Sequence, residues 1–345
     1  MTQQRSPSSG VLCCPDKFRG TLTAPEAAAA LARGVRDAGL DAVELPLADG
    51  GEGTLDALLA ARGGEALEVE VTGPERSRVV ARLGLLAGGV AVVEMAQASG
   101  LALVAGANDP LAATTYGTGE LIAAAARAGA REIVVGVGGS ATVDGGKGAL
   151  EALGWRLPSV PVVVACDVET LFLDAPRLFG PQKGADSAAV AELERRLDAF
   201  ADELLERTRV HVRGLPGAGA AGGLAGGLAA LGARLQPGFA VVAEAVGFAD
   251  ALDDATSVVT GEGRLDATSL HGKVVGEVIE AAAAAGKAVA VVAGAVAPDS
   301  RDLLPADVEV VELVSLAASP EEARARAAAL VREAGRIVGC ELARR

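Results

Sequence analysis

Five short segments of this chain combine glycine with charged or hydroxyl side chains, and each of them follows an apolar stretch. The segments are PDKFRG (15–20), ADGGEGT (48–54), GGSATVDGG (138–146), GPQKGA (180–185) and TGEGRLD (260–266). In a parallel sheet, ligands collect at the carboxyl ends of the strands, and free backbone amides at helix N-termini bind phosphate oxygens there. We therefore expect these loops to converge on one crevice that holds a phosphate-bearing ligand.

The segment 138–146 contains the largest number of glycines of the five. Gly138 and Gly139 allow the backbone to approach a ligand closely, and the amides and hydroxyls around Ser140 and Thr142 predict a phosphate-binding loop. Asp144 is placed to hold a magnesium ion through water. The alternative is that Ser140, Thr142 and Asp144 cap the helix that follows, and the spacing alone leaves both interpretations open.

Phosphoryl transfer needs cations that offset the charge of the phosphates and a carboxylate that accepts the hydroxyl proton. The cations in or beside the glycine loops are Lys17, Arg19, Lys183 and Lys273. The carboxylates in matching places are Asp16, Asp49, Glu52, Asp167, Glu262 and Asp266. Each of these charges taken singly is compatible with a solvated surface residue, so the hypothesis depends on several of them meeting at one site.

The loops stand in a recurring order of strand, loop and helix, which predicts α/β architecture with a parallel sheet. In residues 67–104, alternating apolar positions and glycine turns instead predict strands joined in hairpins. We predict two α/β domains: a doubly wound, Rossmann-like parallel-sheet domain from residues 1–70 and 255–345, and an inserted α/β domain, 71–254, with hairpins and glycine loops.

Three helices carry clear sequence signals. Apolar residues at helical spacing predict a long helix at 187–208. Thr23 is predicted to cap the first helix, which ends at Gly39, and Ser319 to cap the C-terminal helix.

The composition argues against several classes of protein. A formal net charge of −14 disfavours nucleic acid and anionic membranes as partners, and no apolar run has the pattern of a membrane span. Four cysteines without a CxxC pair, and two histidines, disfavour a zinc site, a disulfide framework and a histidine-based metal centre. A polar N-terminus predicts a cytoplasmic protein with residues 1–10 disordered. The oligomeric state stays open, and a homodimer is one possibility.

A competing hypothesis comes from GAGAAG (217–222), which matches the GxGxxG pattern of dinucleotide-binding proteins and has Glu244 about twenty residues later. It suggests an NAD-dependent hydroxy-acid dehydrogenase. The context is poor, because Pro216 precedes the first glycine and the apolar stretch before it is short and charged. The pattern therefore favours a phosphotransferase over a dehydrogenase. A third hypothesis is a kinase-like protein that binds a metabolite without turning it over.

The full set of motifs resembles the bacterial glycerate kinase family of the glycerate 2-kinase type. The resemblance runs in order through PDKFRGTLTAPEAA, PLADGGEGTLDAL, TTYGTGELI, GVGGSATVDGG, ACDV, FGPQKGA and VVTGEGRLDATSLHGK, and so covers nearly the whole chain. It implies two α/β domains, one inserted in the other, and transfer of the ATP γ-phosphate to a hydroxyl of D-glycerate with Mg²⁺. The chain differs from the family pattern at Val143, where asparagine is usual, and at Arg19, where lysine is usual.

The resemblance also implies roles for individual residues. The implied catalytic residues are Asp167, Asp266, Lys183 and Lys273, with one of the two aspartates as the base. The implied substrate-binding residues are Lys17, Arg19, Asp49 and Glu52. The implied nucleotide-binding residues are Gly138, Gly139, Ser140, Thr142, Gln182 and Glu262, with Asp144 as the metal ligand.

Overall fold

The structure is a computed structural model that describes residues 10–344, so the predicted disorder of residues 1–10 falls outside the described residues except at Gly10. It divides into two compact units. The first consists of the described parts of Met1–Asp49, Asp56–Ala61 and Val242–Arg345, and the second of Gly50–Leu55 and Arg62–Val241. Both chain ends thus build the first unit, and the middle of the chain builds the second.

The described residues form eleven strands and thirteen α-helices, joined by loops and short 3₁₀ turns. Strands β1 to β11 lie at Val11–Cys13, Ala42–Glu44, Gly64–Thr72, Arg78–Leu86, Val90–Glu94, Glu132–Gly136, Val162–Ala165, Arg234–Gln236, Ser257–Leu265, Ala288–Val296 and Glu309–Glu312. Helices α1 to α13 lie at Ala24–Asp37, Thr54–Arg62, Ala96–Ser99, Tyr116–Arg127, Lys147–Ala152, Ala175–Phe179, Ser187–Thr208, Leu224–Ala230, Gly238–Val246, Phe248–Asp254, Val274–Ala284, Pro320–Ala325 and Ala327–Leu342.

The sheet of the first unit has the strand order β2-β1-β9-β10-β11, and all neighbouring pairs are parallel. If the five strands are numbered within the unit, this order is 2-1-3-4-5, a doubly wound arrangement. The direction of winding reverses between β1 and β9, and ligands of such sheets bind beside the carboxyl ends of the strands at that point. The predicted fold class is confirmed, and the topology indicates where a site should lie.

Helix α1 covers one face of this sheet together with α13. Thr23 caps α1 in a capping box with Glu26, and Gly39 follows the helix with a φ of +88°, so both predicted ends are confirmed. The buried face of α1 is mostly alanine, which allows α13 to approach closely. At Gly34 the approach is so close that an added Cβ would overlap the carbonyl oxygen of Arg332.

The sheet of the second unit has the order β3-β4-β5-β6-β7-β8. Strands β3, β4 and β5 pair antiparallel, which confirms the predicted hairpins, whereas β5 to β8 pair parallel. One face packs against a core that includes α4, α5, α7 and α8. The long helix predicted at 187–208 is confirmed as α7, and Asp186 caps it.

Two sequence-based boundaries differ from the structure. Ser319 caps α12 as predicted, but the backbone breaks at Arg326, so the C-terminal helical segment consists of two helices. Strand β3 pairs with β4 along its whole length and therefore lies in the second unit, although the predicted domain limit was residue 70. The predicted limits, 1–70 with 255–345 and 71–254, stay a proposal.

We predict that Gly34→Ala lowers the free energy of unfolding by about 2–3 kcal/mol, because the added methyl group would force α1 away from α13. Urea unfolding followed by circular dichroism measures this change. Gly214→Ala is the control, since a Cβ there meets nothing within 4 Å. Equal stability of the two variants would contradict the close helix contact.

Candidate active site

A cavity of about 720 Å³ lies in the first unit, beside the carboxyl ends of its strands. Its charged lining residues are Asp16, Lys17, Arg19, Asp49, Glu262, Arg264, Asp266, Lys273 and Arg324. The residues from 16 to 19 follow β1, and Glu262 lies in the second half of β9. The cavity therefore lies at the reversal point between β1 and β9, where the topology predicts a ligand.

Hydrogen bonds between the β1 and β9 segments continue beyond the last residue of β1. The amide of Cys14 donates to the Val259 carbonyl at 2.8 Å, and the amide of Asp16 donates to the Gly261 carbonyl at 2.8 Å. These bonds place Asp16 beside Glu262. Gly263 is required for this approach, since a Cβ there would lie 2.9 Å from the Arg19 amide nitrogen.

Two carboxyl groups of the cavity have raised pKa values. Burial raises the pKa of Asp16 to about 6, although Lys17 opposes this shift and Asp49 adds to it. Burial likewise raises the pKa of Glu262 to about 7, against a hydrogen bond from Ser269 that lowers it. The Oε1 atom of Glu262 is buried and has no hydrogen-bond partner. Both groups can therefore exchange a proton near neutral pH.

Asp266 differs from these two carboxyl groups although it lines the same cavity. Its Oδ1 accepts hydrogen bonds from the amide of Thr268 at 2.9 Å and from its hydroxyl at 2.6 Å. The Thr268 hydrogen bonds hold the pKa of Asp266 below its usual range. Asp266 is therefore a weaker proton acceptor than Glu262.

Cationic side chains approach the carboxylates from several loops. Lys17 Nζ lies 4.0 Å from Asp16 Oδ1, and Lys273 Nζ donates to the Thr268 hydroxyl at 3.0 Å. Arg19 is the third predicted cation that lines this cavity. The structure thus brings six of the predicted site residues together: Lys17, Arg19, Asp49, Glu262, Asp266 and Lys273.

The other predicted site residues lie in the second unit: Glu52, Gly138, Gly139, Ser140, Thr142, Asp144, Asp167, Gln182 and Lys183. The glycines of segment 138–146 serve backbone packing. A Cβ at Gly138 would lie 2.7 Å from the Cα of Gly51, and one at Gly139 would lie 2.6 Å from Glu52 Oε1. The two glycine loops therefore contact each other directly, and close packing explains these glycines without a ligand.

Asp144 has the contacts of a structural carboxylate. Its Oδ2 accepts hydrogen bonds from the amide and hydroxyl of Thr115 and from the amide of Gly148, at 2.8–3.2 Å. Its Oδ1 accepts a bond from the amide of Gly146 at 3.0 Å, at the start of α5. These four bonds match the helix-capping alternative, and they do not favour the predicted role of Asp144 as a metal ligand.

Lys183 is buried, with 4% of its surface exposed, and its Nζ donates to the Thr142 carbonyl at 2.7 Å. Burial lowers its pKa to about 7, and the nearby Asp144 carboxylate opposes this shift. The Asn108 side chain donates to the carbonyls of Ala141 and Lys183 at 2.9 and 2.8 Å. Lys183 and Asn108 therefore link the loop 138–146 to the loop 180–185. Gln182 of the second loop is exposed.

Asn108 was missed by the sequence analysis because it lies in no glycine motif. Thr142 is buried and its Oγ1 has no partner, and Ser140 is half-buried in an isolated bridge with Gly100. The predicted phosphate-binding role of these two hydroxyls stays a prediction.

Asp167 caps a helix. Its Oδ1 accepts hydrogen bonds from the amides of Gly238 at 2.5 Å and Phe239 at 3.4 Å, at the start of α9. A carboxylate held by two amides is stabilised in its charged form and is a poor base. The contacts of Asp167 are those of a helix cap, and its predicted catalytic role stays a prediction.

The dinucleotide-binding hypothesis for GAGAAG fails on its local structure. No strand directly precedes residues 217–222, and residues 220–223 form a 3₁₀ turn in which Ala221 and Gly222 have positive φ values. A Rossmann fingerprint requires a strand, a tight turn and then a helix that begins at the glycines. Here a Cβ at Gly219 would overlap the carbonyl oxygen of Leu171, and one at Gly222 would overlap that of Thr142, so these glycines serve backbone packing.

Among residues 10–344, no group of three or more His, Cys, Asp or Glu side chains is arranged to hold a metal ion alone. Mg²⁺ in phosphoryl-transfer sites is commonly held by one or two carboxylates together with phosphate oxygens. The described part of the chain also contains no helix long and apolar enough to cross a membrane.

Comparison with known proteins adds independent information. A sequence model of the glycerate kinase family matches residues 11–159 and 156–342. Glycerate 2-kinase from Escherichia coli (strain K12) is 41% identical over 302 residues, which are 76% of this chain and 79% of that protein. Glycerate kinase from Bacillus subtilis (strain 168) is 40% identical over 328 residues, or 84% of this chain and 86% of that protein.

The fold has a counterpart among solved structures. A crystal structure of a candidate glycerate kinase 2 from Salmonella typhimurium LT2 superimposes with a TM-score of 0.81 at 35% sequence identity. The match covers 97% of this chain and 98% of that one. The likeness therefore includes both units.

We predict that Asp144→Asn lowers the free energy of unfolding by about 2 kcal/mol without any added metal, because four donors lose their charged acceptor. Thermal and urea unfolding without Mg²⁺ measure the change. Asp186→Asn is the control, because Asp186 caps α7 through one bond, to the Ala189 amide, and should have a smaller effect. A variant that unfolds like the parent but responds less to Mg²⁺ would restore the metal-binding prediction.

We predict a pH-dependent effect of Glu262→Gln on stability. The pKa of Glu262 is raised to about 7 in the folded protein, so between about pH 4.5 and 7 the folded state retains a proton that the unfolded chain releases. The free energy of unfolding of the parent therefore falls as the pH rises through this window. Between pH 5 and 8 the variant, whose glutamine does not titrate, should lose about 2–3 kcal/mol less than the parent.

Urea unfolding at pH 5, 6, 7 and 8 provides the measurement. Glu322→Gln is the matched control, since hydrogen bonds lower the pKa of Glu322 and its titration lies below this range. Identical pH dependence of Glu262→Gln and the parent would show that Glu262 is not protonated near neutral pH.

Proposed function

The chain belongs to the glycerate kinase family, and from this premise we propose that its first-unit cavity binds D-glycerate for phosphorylation by ATP. The product is 2-phosphoglycerate or 3-phosphoglycerate. One observation carries the proposal: five cations and two carboxyl groups with raised pKa values line one cavity at the reversal point of the sheet.

Glycerate brings a carboxylate and two hydroxyls, and each needs a different partner. We assign its carboxylate to Lys17 and Arg19, which follow β1. Arginine and lysine both bind carboxylates, and arginine does so with two parallel hydrogen bonds. With the carboxylate held there, the hydroxyls reach toward Asp16 of the same segment and toward Glu262 on the adjacent strand β9.

Glu262 is our candidate for the general base. Its Oε1 lacks a partner, and its pKa of about 7 lies where a base works best. The acceptor hydroxyl gives its proton to Glu262, its oxygen forms the bond to the γ-phosphorus, and the bond to the bridging oxygen of ADP breaks. Asp266 and Asp167 are less suitable because hydrogen bonds already stabilise their charged forms.

Lys273 offsets negative charge during the transfer. It stands directly before α11 and lies near Asp16, Glu262 and Asp266, and its positive charge lowers the pKa of each of these carboxyl groups. A fixed ammonium beside developing charge stabilises the transition state more than the ground state.

The cavity also suits the Mg²⁺ that the family implies. Asp16 and Asp49 offer carboxylate oxygens, the donor type that Mg²⁺ prefers. When bound, Mg²⁺ would neutralise phosphate charge. The roles predicted for Gly138, Gly139, Ser140, Thr142, Gln182 and Asp144 stay predictions, as does a cytoplasmic location.

We predict that Glu262→Gln lowers kcat with D-glycerate by about 10²–10⁴-fold, because an amide cannot accept the hydroxyl proton. Release of ADP, coupled to NADH oxidation, measures the rate. The KM for glycerate should change much less, since Lys17 and Arg19 stay in place.

Glu277→Gln is the matched control, because Glu277 is a half-buried glutamate of α11 whose pKa burial also raises, yet it does not line the cavity. Full activity of Glu262→Gln would remove Glu262 as the base. A parent protein that binds Mg-ATP but releases no ADP with glycerate would favour the non-catalytic alternative.

A further inference from the structure

The cavity of the first unit has two chemically different ends. Its carboxylates follow β1 and β2 or lie in and directly after β9, whereas Leu313, Val314, Ala323 and Ala327 line it from the segments after β11. Because the sheet order is β2-β1-β9-β10-β11, the carboxylates lie beside the first three strands of this row, whereas Leu313 and Val314 follow its last strand, β11. We call the part lined by these four apolar residues the apolar end.

The volume of the cavity exceeds what glycerate needs. Pockets of about 300–1,000 Å³ enclose ligands of drug size, and this cavity measures about 720 Å³. A three-carbon acid held at the charged end would leave the apolar end empty. The four apolar side chains of that end do not match glycerate, whose atoms are almost all polar or next to polar groups.

Two glycines separate the ends. Gly263 of β9 and Gly294 of β10 both line the cavity, and a Cβ at Gly294 would overlap the carbonyl oxygen of Gly263. At these two positions the floor of the cavity is backbone without a side chain. A polyphosphate chain can lie close to such a floor, where side chains would keep it away.

Arg324 stands beside the apolar end. It belongs to α12, is exposed, and lines the cavity together with Ala323 of the same helix. A guanidinium group stacks on flat aromatic rings, and small apolar side chains leave room for such a ring.

We propose that the apolar end and Arg324 bind the purine base of the nucleotide, with the triphosphate passing over Gly263 and Gly294 toward the charged end. This inference rests on the proposed function, in which ATP is the phosphate donor. It assigns the base to residues that belong to none of the glycine motifs.

Arg324→Ala tests the proposal through binding rather than turnover. Isothermal titration calorimetry compares ATP with tripolyphosphate, which has the phosphates but no base, at equal MgCl₂. We expect the Kd for ATP to rise about tenfold and that for tripolyphosphate to stay within about twofold. Arg326→Ala is the control, since Arg326 is exposed two residues later, pairs with Glu322 and does not line the cavity.

A second variant fills the apolar end. Ala327→Leu should weaken ATP binding and leave tripolyphosphate binding unchanged, with Ala328→Leu, at an exposed position of α13, as its control. Thermal unfolding verifies that both variants fold. If Ala327→Leu does not fold, the binding result for Arg324→Ala tests the proposal by itself.

Three outcomes overturn the proposal: ATP binding unaffected by Arg324→Ala, equal losses for ATP and tripolyphosphate, or an equal loss in Arg326→Ala. The second would make Arg324 a phosphate ligand. The proposed function fails separately, if the parent protein binds ATP with this pattern but never phosphorylates glycerate.

Discussion

The chemistry of the first unit depends on the parallel pairing of β1 with β9, two segments that lie about 246 residues apart in the chain. Their hydrogen bonds continue through Cys14 and Asp16, and the Thr260 hydroxyl adds a bond of 2.9 Å to the Cys14 carbonyl. These hydrogen bonds hold Asp16 beside Glu262, and both carboxyl groups are largely buried there. Burial is the main cause of the raised pKa of both residues.

The acidic residues of the glycine motifs have the same chemistry in the sequence but different environments in the structure. Asp144 and Asp167 accept several backbone hydrogen bonds at helix starts, whereas Glu262 keeps a buried oxygen without a partner. Hydrogen bonds to a carboxylate stabilise its charge, and burial without them destabilises it. The first arrangement supports a fold, and the second suits the base that we propose.

Local patterns were sufficient to predict much of the fold. The cap at Thr23, helix 187–208 and the hairpins of the middle segment follow from spacing within a few turns of chain, and the structure confirms all three. The sequence also indicated six residues that share the cavity. It could not rank the carboxylates, because their burial depends on distant strands, and it gave no signal for Arg324, which lies outside every glycine motif.

The acidic character of the whole chain does not oppose an anionic ligand at this cavity. The lining contains five cations, Lys17, Arg19, Arg264, Lys273 and Arg324, against four carboxyl groups, Asp16, Asp49, Glu262 and Asp266. Since burial raises the pKa of Glu262 to about 7, this group is partly protonated near neutral pH, and the local balance becomes more positive than the residue count. The formal charge of −14 therefore belongs mainly to the rest of the chain. An excess of negative charge elsewhere supports solubility, while screening by salt over about 10 Å weakens its effect on the cavity.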